Sequence, residues 1–162
     1  MTIVHVRIDD RLIHGQVGSL WIKRVKADTV FVVNDEVANN PMIAAMVPMG
    51  APSGITVRTL TVENATNELK KPEWNDKSIM IICKFPEDAL GLVEHDIKLP
   101  QVNLGNMSGQ KNASKIGRGI WVLPSQIPAY EKLNELGIKL TAKMLPDDKS
   151  YDLMNEISKM KK

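Results

Sequence analysis

Short β-branched runs alternate along this chain with longer stretches in which apolar residues recur at helical spacing. Ile3, Val4, Val6 and Ile8 read as a first strand, and Gln16 to Val25 reads as the helix that follows it. Thr29 to Val33 is a second strand ending in the polar turn Asn34-Asp35-Glu36. Asn40 as cap and Pro41 in the first turn open a helix through Met42, Ile43, Met46 and Val47, which Pro48, Gly50, Pro52 and Gly54 break. Ile55 to Leu60 alternates as a third strand, and Thr61 with Asn64 begins an amphipathic helix running to Lys71. Ser78 to Cys83 is almost wholly apolar, the pattern of a strand buried on both faces of a parallel sheet. Lys84-Phe85-Pro86 starts the next helix, with Ala89, Leu90, Leu92 and Val93 on its apolar side. Gln101 to Leu104 is a fifth strand, followed by Gly105 to Gly109 as a glycine-rich turn. Gly119 to Leu123 reads as strand six, Pro124 to Leu136 as a helix stopped by Gly137, Ile138 to Met144 as strand seven and Ser150 to Met160 as the last helix.

Strands alternating with helices predict a doubly wound α/β domain with helices on both faces of the sheet. The spacing suggests the order 3-2-1-4-5 for the early strands, with the switch point between strands one and four. Turns at the carboxyl edge of such a sheet converge on one rim, which would gather His14, Asp35, Lys84 and the loop from Gly105 to Gly109.

That rim directs attention to Arg7-Ile8-Asp9-Asp10-Arg11-Leu12-Ile13-His14-Gly15-Gln16, where charge, a histidine and a glycine crowd between the first strand and the first helix. N–H groups at a helix start are unpaired and partly positive, so Gly15 and Gln16 can face an anion, and Gly15 has no Cβ to keep it away. A neutral imidazole at His14 beside the guanidinium of Arg11 suits the acceptance and holding of a phosphoryl group. Carboxylates repel such a group. Asp10 is therefore expected to fix a ring tautomer of His14 or to pair with Arg7 or Arg11, while Asp9 takes turn N–H groups. The two roles exchange without violating the spacing. Asn106 and Ser108 could add donors to phosphate oxygens and Lys84 a point charge; each also has a plain reading, as cap, turn or solvated surface. His5 reads as a hydrogen-bonded core or edge histidine, Trp21 as helix packing and His95 as surface.

Composition narrows the field. The 162 residues, 43% hydrophobic and a quarter charged, suit one domain spanning 1–162, and a net charge of +2 with interspersed signs gives no nucleic-acid surface. No apolar run is long enough to span a membrane, Met1 to Asp10 lacks a signal-peptide pattern, and the lone Cys83 forms no internal disulfide, which together predict a cytoplasmic protein. Three scattered histidines offer no zinc spacing and the carboxylates no evident magnesium cage, so neither metal nor cofactor is expected.

The run RIDDRLIHGQV resembles the active-site loop of the enzyme IIB components of the mannose, fructose and sorbose family of the bacterial sugar phosphotransferase system. The similarity extends through Val32 to Ala38, Val102 to Met107, Gly137-Ile-Lys-Leu and Leu145-Pro-Asp147, covering nearly the whole chain, whereas Met107 to Gly119 is less typical. The resemblance implies a mainly parallel seven-stranded sheet and a phosphohistidine at His14, formed at Nδ1. It further implies that a phosphorylated IIA component is the donor and that a sugar entering through the membrane IIC and IID permease is the acceptor, the carrier being held at the membrane by protein contacts. Homodimerisation stays open, as does the sugar. The rival reading is a nucleotide- or anion-binding regulatory module with no covalent step, although no G-x-G-x-x-G follows the first strand and no Walker lysine motif is present.

Overall fold

In the computed structural model, which describes residues 1–161, seven strands form a sheet in the order β3-β2-β4-β1-β5-β8-β9. Its central strands are β1 (Thr2–Asp9), β2 (Thr29–Val33), β3 (Thr56–Leu60), β4 (Ser78–Cys83) and β5 (Val102–Asn106). These pair in parallel, β8 (Leu140–Ala142) continues parallel to β5, and the short β9 (Tyr151–Asp152) closes the edge antiparallel to β8. The hairpin β6 (Ser114–Gly117) and β7 (Ile120–Val122) forms a separate two-stranded sheet. No helix among the described residues is long and apolar enough to cross a membrane.

The helices are α1 (Gly15–Val25), α2 (Asp35–Ala38), α3 (Pro41–Met46), α4 (Val62–Leu69), α5 (Pro86–Glu94), α6 (Ile127–Glu135) and α7 (Leu153–Met160). Right-handed crossovers sort them by direction of travel. Trp21 and Ile22 of α1 and Val37 of α2 bury against Val30, Val32, Met80 and Ile82 on one face. Ala65 of α4, Ala89 and Leu92 of α5, Tyr130 and Leu133 of α6 and Leu153 of α7 bury against Val6, Ile8, Phe31, Ile79 and Ile81 on the other. The chain therefore leaves β1 for one face and its neighbours β4 and β5 for the other, which opens a crevice at the β1 turn.

The expected strand order is corrected: β4 lies between β2 and β1, giving 3-2-4-1-5. The physical reason lies in β1. Arg7 is buried with 1% exposure, and its guanidinium fills the space over Gly105 of β5, where an added Cβ would lie 2.0 Å from it. That fit makes β1 and β5 neighbours, with Arg7 opposite Asn103, and leaves β4, apolar from Ile79 to Cys83, to pack between β1 and β2. Gly105 and Asn106 accordingly belong to β5 and not to a turn. The expected sixth strand is half of the separate hairpin, and Tyr151 and Asp152, read as helix, form the edge strand before α7. A short helix, α2, stands where Asp35 was read as turn.

A bulge between Ile3 and His5 also shifts the alternation in β1. Val4 packs against the α1 side, and His5 stacks on Trp21 there with ring centroids 4.3 Å apart, so the two do not face opposite ways. His5 Nε2 is buried without a hydrogen-bond partner, which corrects the hydrogen-bonded reading. Burial, with Arg7 and Lys143 close by, lowers its pKa to about 3 and keeps the ring neutral.

Candidate functional site at the end of the first strand

The loop after β1 is built on one buried carboxylate. Period-two spacing places Arg7 and Asp9 on the same side of β1. Asp9 Oδ2 there accepts from Arg7 Nε at 3.3 Å and from Nη2 at 3.2 Å, with both side chains out of solvent. The other oxygen, Oδ1, accepts the backbone N–H of Arg11 at 2.9 Å and lies 3.7 Å from the Arg11 guanidinium. Burial works against charge on both inner partners, raising the Asp9 carboxyl and lowering the Arg7 guanidinium, and their ion pair opposes it. The backbone N–H of Leu12 donates to the Asp9 carbonyl at 3.0 Å, closing a tight turn in which Leu12 takes φ 63°. A left-handed conformation costs an ordinary residue about 1–2 kcal/mol, so the turn persists because the charges around Asp9 hold it.

His14 follows as the exposed N-cap residue of α1, in extended conformation, and no side chain caps that helix. Its first-turn N–H groups are therefore open. Gly15, at φ 55°, has nothing within 4 Å of where a Cβ would stand. Arg11, Gly15 and Gln16 are exposed at the same loop. The structure brings together a solvent-facing imidazole, a guanidinium tethered through Asp9 and an uncapped helix start, the groups an oxyanion requires.

The second carboxylate does something else. Asp10 Oδ1 accepts from Asn106 Nδ2 at 2.7 Å and Oδ2 accepts the backbone N–H of Ser108 at 2.9 Å, so Asp10 ties the β1 turn to the end of β5. It pairs with neither arginine. Asp9 takes the arginine role, and it was the same-face spacing of Arg7 and Asp9 that could have revealed this. Asn106 gives its side-chain amide and Ser108 its backbone N–H to Asp10, and Gly105 makes room for the Arg7 guanidinium.

The other candidates engage groups of their own. The Asp35 carboxylate accepts the N–H of Val62, at the first turn of α4, at 2.8 Å. Lys84 lies with its ammonium 5.2 Å from the centre of the Phe85 ring. Trp21 is packing with a polar handle: its indole N–H donates to the Met144 carbonyl at 2.7 Å, and Arg7 and Lys143 lie over its ring at 5.4 and 5.5 Å. Sequence reasoning missed the flank beyond Gln16, where a cleft of about 440 Å³ is lined by Val17, Leu20, Arg118, Lys143, Lys149 and Tyr151. Its residues come from three distant segments, and no local pattern signals it.

With this geometry in place, comparison with known proteins is decisive about kinship. The family model described as "PTS system sorbose subfamily IIB component" matches residues 3–162. The chain is 32% identical over 154 residues to the fructose-specific EIIB component of the phosphotransferase system of Bacillus subtilis, covering 95% of this chain and 94% of that protein. It is 33% identical over 162 residues to the mannose-specific EIIAB component of Escherichia coli, of whose length it spans only 50%. The crystal structure of the IIBSor domain of the sorbose permease from Klebsiella pneumoniae matches with a TM-score of 0.92 at 29% identity, covering 98% of each chain. The chain belongs to the sorbose subfamily of phosphotransferase-system IIB components, proteins of phosphoryl transfer in sugar uptake.

Proposed function

We propose that the chain, as one domain spanning 1–162, carries phosphate on His14. A phosphohistidine of a IIA component is the donor. The neutral His14 ring attacks its phosphorus; a new N–P bond forms, the donor's N–P bond breaks, and the donor nitrogen keeps the electron pair. In the second transfer a sugar hydroxyl, presented by the IIC and IID permease, attacks the same phosphorus; a new O–P bond forms, the His14 N–P bond breaks with its electron pair kept by the ring nitrogen, and the hydroxyl proton passes to water. The charge that spreads over the phosphoryl oxygens is met by Arg11 and by the N–H groups of Gly15 and Gln16 at the start of α1. Asp9 positions Arg11. Asp10 holds the loop against β5 with its charge engaged by Asn106 and Ser108.

The observation that carries this reading is the exposed His14 ring at the uncapped start of α1, next to a loop whose arginine is tethered by a buried carboxylate. An open ring is what successive transfers between separate partners demand. The test is incubation with a donor carrying a ³²P-phosphohistidine: acid-labile, base-stable label is expected on the wild type and none on His14→Ala. Arg11→Ala is expected to fold normally and to label at least about tenfold more slowly, the loss of one charged clamp on the transferring group. Label that persists in His14→Ala would remove the carrier assignment, and anion binding with no label would favour a regulatory module.

A further inference from the structure

The two sides of the His14 loop differ in kind. Beyond Gln16, the cleft flank carries three cations, Arg118, Lys143 and Lys149, against the single carboxylate of Asp148. At the Ile13 end, no residue from Val37 to Val57 is charged in a chain that is one quarter charged. Within that stretch Met42, Ile43, Met46 and Met49 are 73, 38, 62 and 82% exposed, on α3 and the 3-10 turn Val47–Gly50. This face adjoins the loop directly: Val47 shares a buried cluster with Ile13, and Gly50 lies so close that a Cβ on it would be 2.6 Å from the Ile13 carbonyl oxygen. The exposed carboxylates Asp35 and Glu36, on the neighbouring α2, border it.

We propose that this methionine face docks the membrane permease, an inference that rests on the acceptor named above. Cytoplasmic loops of membrane proteins carry excess Lys and Arg. Such a partner is repelled by the Arg118, Lys143 and Lys149 flank and accommodated by an apolar patch with an acidic border, which also matches the layout of an interface with apolar core and polar rim. Four side chains at these exposures present on the order of 500 Å², the size at which an exposed patch marks an interaction site. A stable pair of copies needs about 800 Å² from each partner. The smaller area suits a partner that must release the carrier for recharging, and unbranched methionines adapt to a moving surface.

The experiment uses the full chain with Met42→Lys, Met46→Lys and Met49→Lys combined, and the corresponding three leucine substitutions as control. Membrane vesicles with the cytoplasmic side outward are prepared with and without the IIC and IID subunits. The lysine variant is expected to label from the donor within about twofold of wild type, since the proposal assigns this face to the permease and the substitutions leave His14, Arg11 and the cationic flank unchanged. Its co-sedimentation with permease vesicles and its sugar phosphorylation are expected to fall at least about tenfold, the scale of losing a central apolar anchor. The leucine variant is expected to retain both. Unchanged co-sedimentation of the lysine variant overturns the proposal, as does wild-type binding to vesicles that lack the permease, or slowed donor labelling with permease binding intact. If wild type takes no label while its co-sedimentation still responds to the lysines, the docking surface stands and the relay alone falls.

Discussion

Two strand seams, two interstrand spacings or about 10 Å apart in one sheet, are held together by opposite means. Where β2 meets β4, every side chain from Val30 to Val33 and from Ile79 to Cys83 is apolar and buried, and any of these aliphatic residues exchanges for another of similar volume at modest cost. Where β1 meets β5, the buried residues include Arg7, Asp9, Asn103 and Asn106, each with specific partners: Asn103 reaches the Lys143 carbonyl through Nδ2 at 2.9 Å and Thr141 through Oδ1 at 3.0 Å. Dispersion and burial are indifferent to direction, whereas an ion pair fixes where its atoms stand. The first seam supplies stability and the second supplies geometry, and the phosphate-bearing loop that we propose hangs from the second.

The strongest way to break the second seam is Gly105→Val. The added Cβ would occupy the place of the Arg7 guanidinium, so either that charge is driven from its carboxylate or β1 separates from β5. The expected outcome is loss of cooperative folding, checked by urea unfolding and circular dichroism. A stable, fully labelled Gly105→Val would show that the fit is loose. Asp9→Ala is next, at about 3–5 kcal/mol, because it strands a buried guanidinium. Denaturation measures that cost, and labelling corrected for the folded fraction should fall as well because Arg11 is released. Ile81→Ala, in the first seam, is expected to cost about 2–5 kcal/mol and to leave labelling per folded molecule unchanged. If the Ile81 variant loses transfer as Asp9→Ala does, the division between stability and geometry fails.

A smaller effect sharpens the contrast through a buried carboxylate just beyond the end of the apolar seam. Asp88, in the first turn of α5, accepts from Asn34 Nδ2 at 3.0 Å and from the Phe85 N–H at 2.9 Å. Burial raises its pKa to about 6, against the pull of those donors. The folded protein thus binds this proton more tightly than the unfolded chain, whose Asp titrates near 3.9. Its stabilising contribution is complete below about pH 4 and is lost as pH rises through about 6, by on the order of 2–3 kcal/mol. Urea midpoints between pH 4 and 7 should show this fall in the wild type, superimposed on other titrations. The corresponding component should vanish in Asp88→Asn, and an identical slope in both would remove the assignment.

Much of the fold was legible because its signals are local. The run Ser78 to Cys83 announces a strand buried on both faces, and Asn40-Pro41 announces the helix start that the structure places there, with Asn40 Oδ1 accepting the Ile43 N–H at 3.2 Å. The candidate site was half legible. His14 between strand and helix is a local feature, as is the glycine behind it. The division of labour between Asp9 and Asp10 was not, since neighbouring carboxylates look alike until Asn106 and Ser108, from nearly a hundred positions away, engage one of them.

By itself the sequence determined most of the strands and helices, that they alternate, and that one histidine stands with arginines at the end of the first strand, since periodicity and short-range sterics depend on neighbours along the chain. Only the tertiary structure decided that β4 enters between β2 and β1, that Arg7 lies over Gly105, and that a cationic flank and an uncharged flank border the same loop. Those outcomes depend on whether distant side chains fit and satisfy one another's charge, and no spacing along the chain records that.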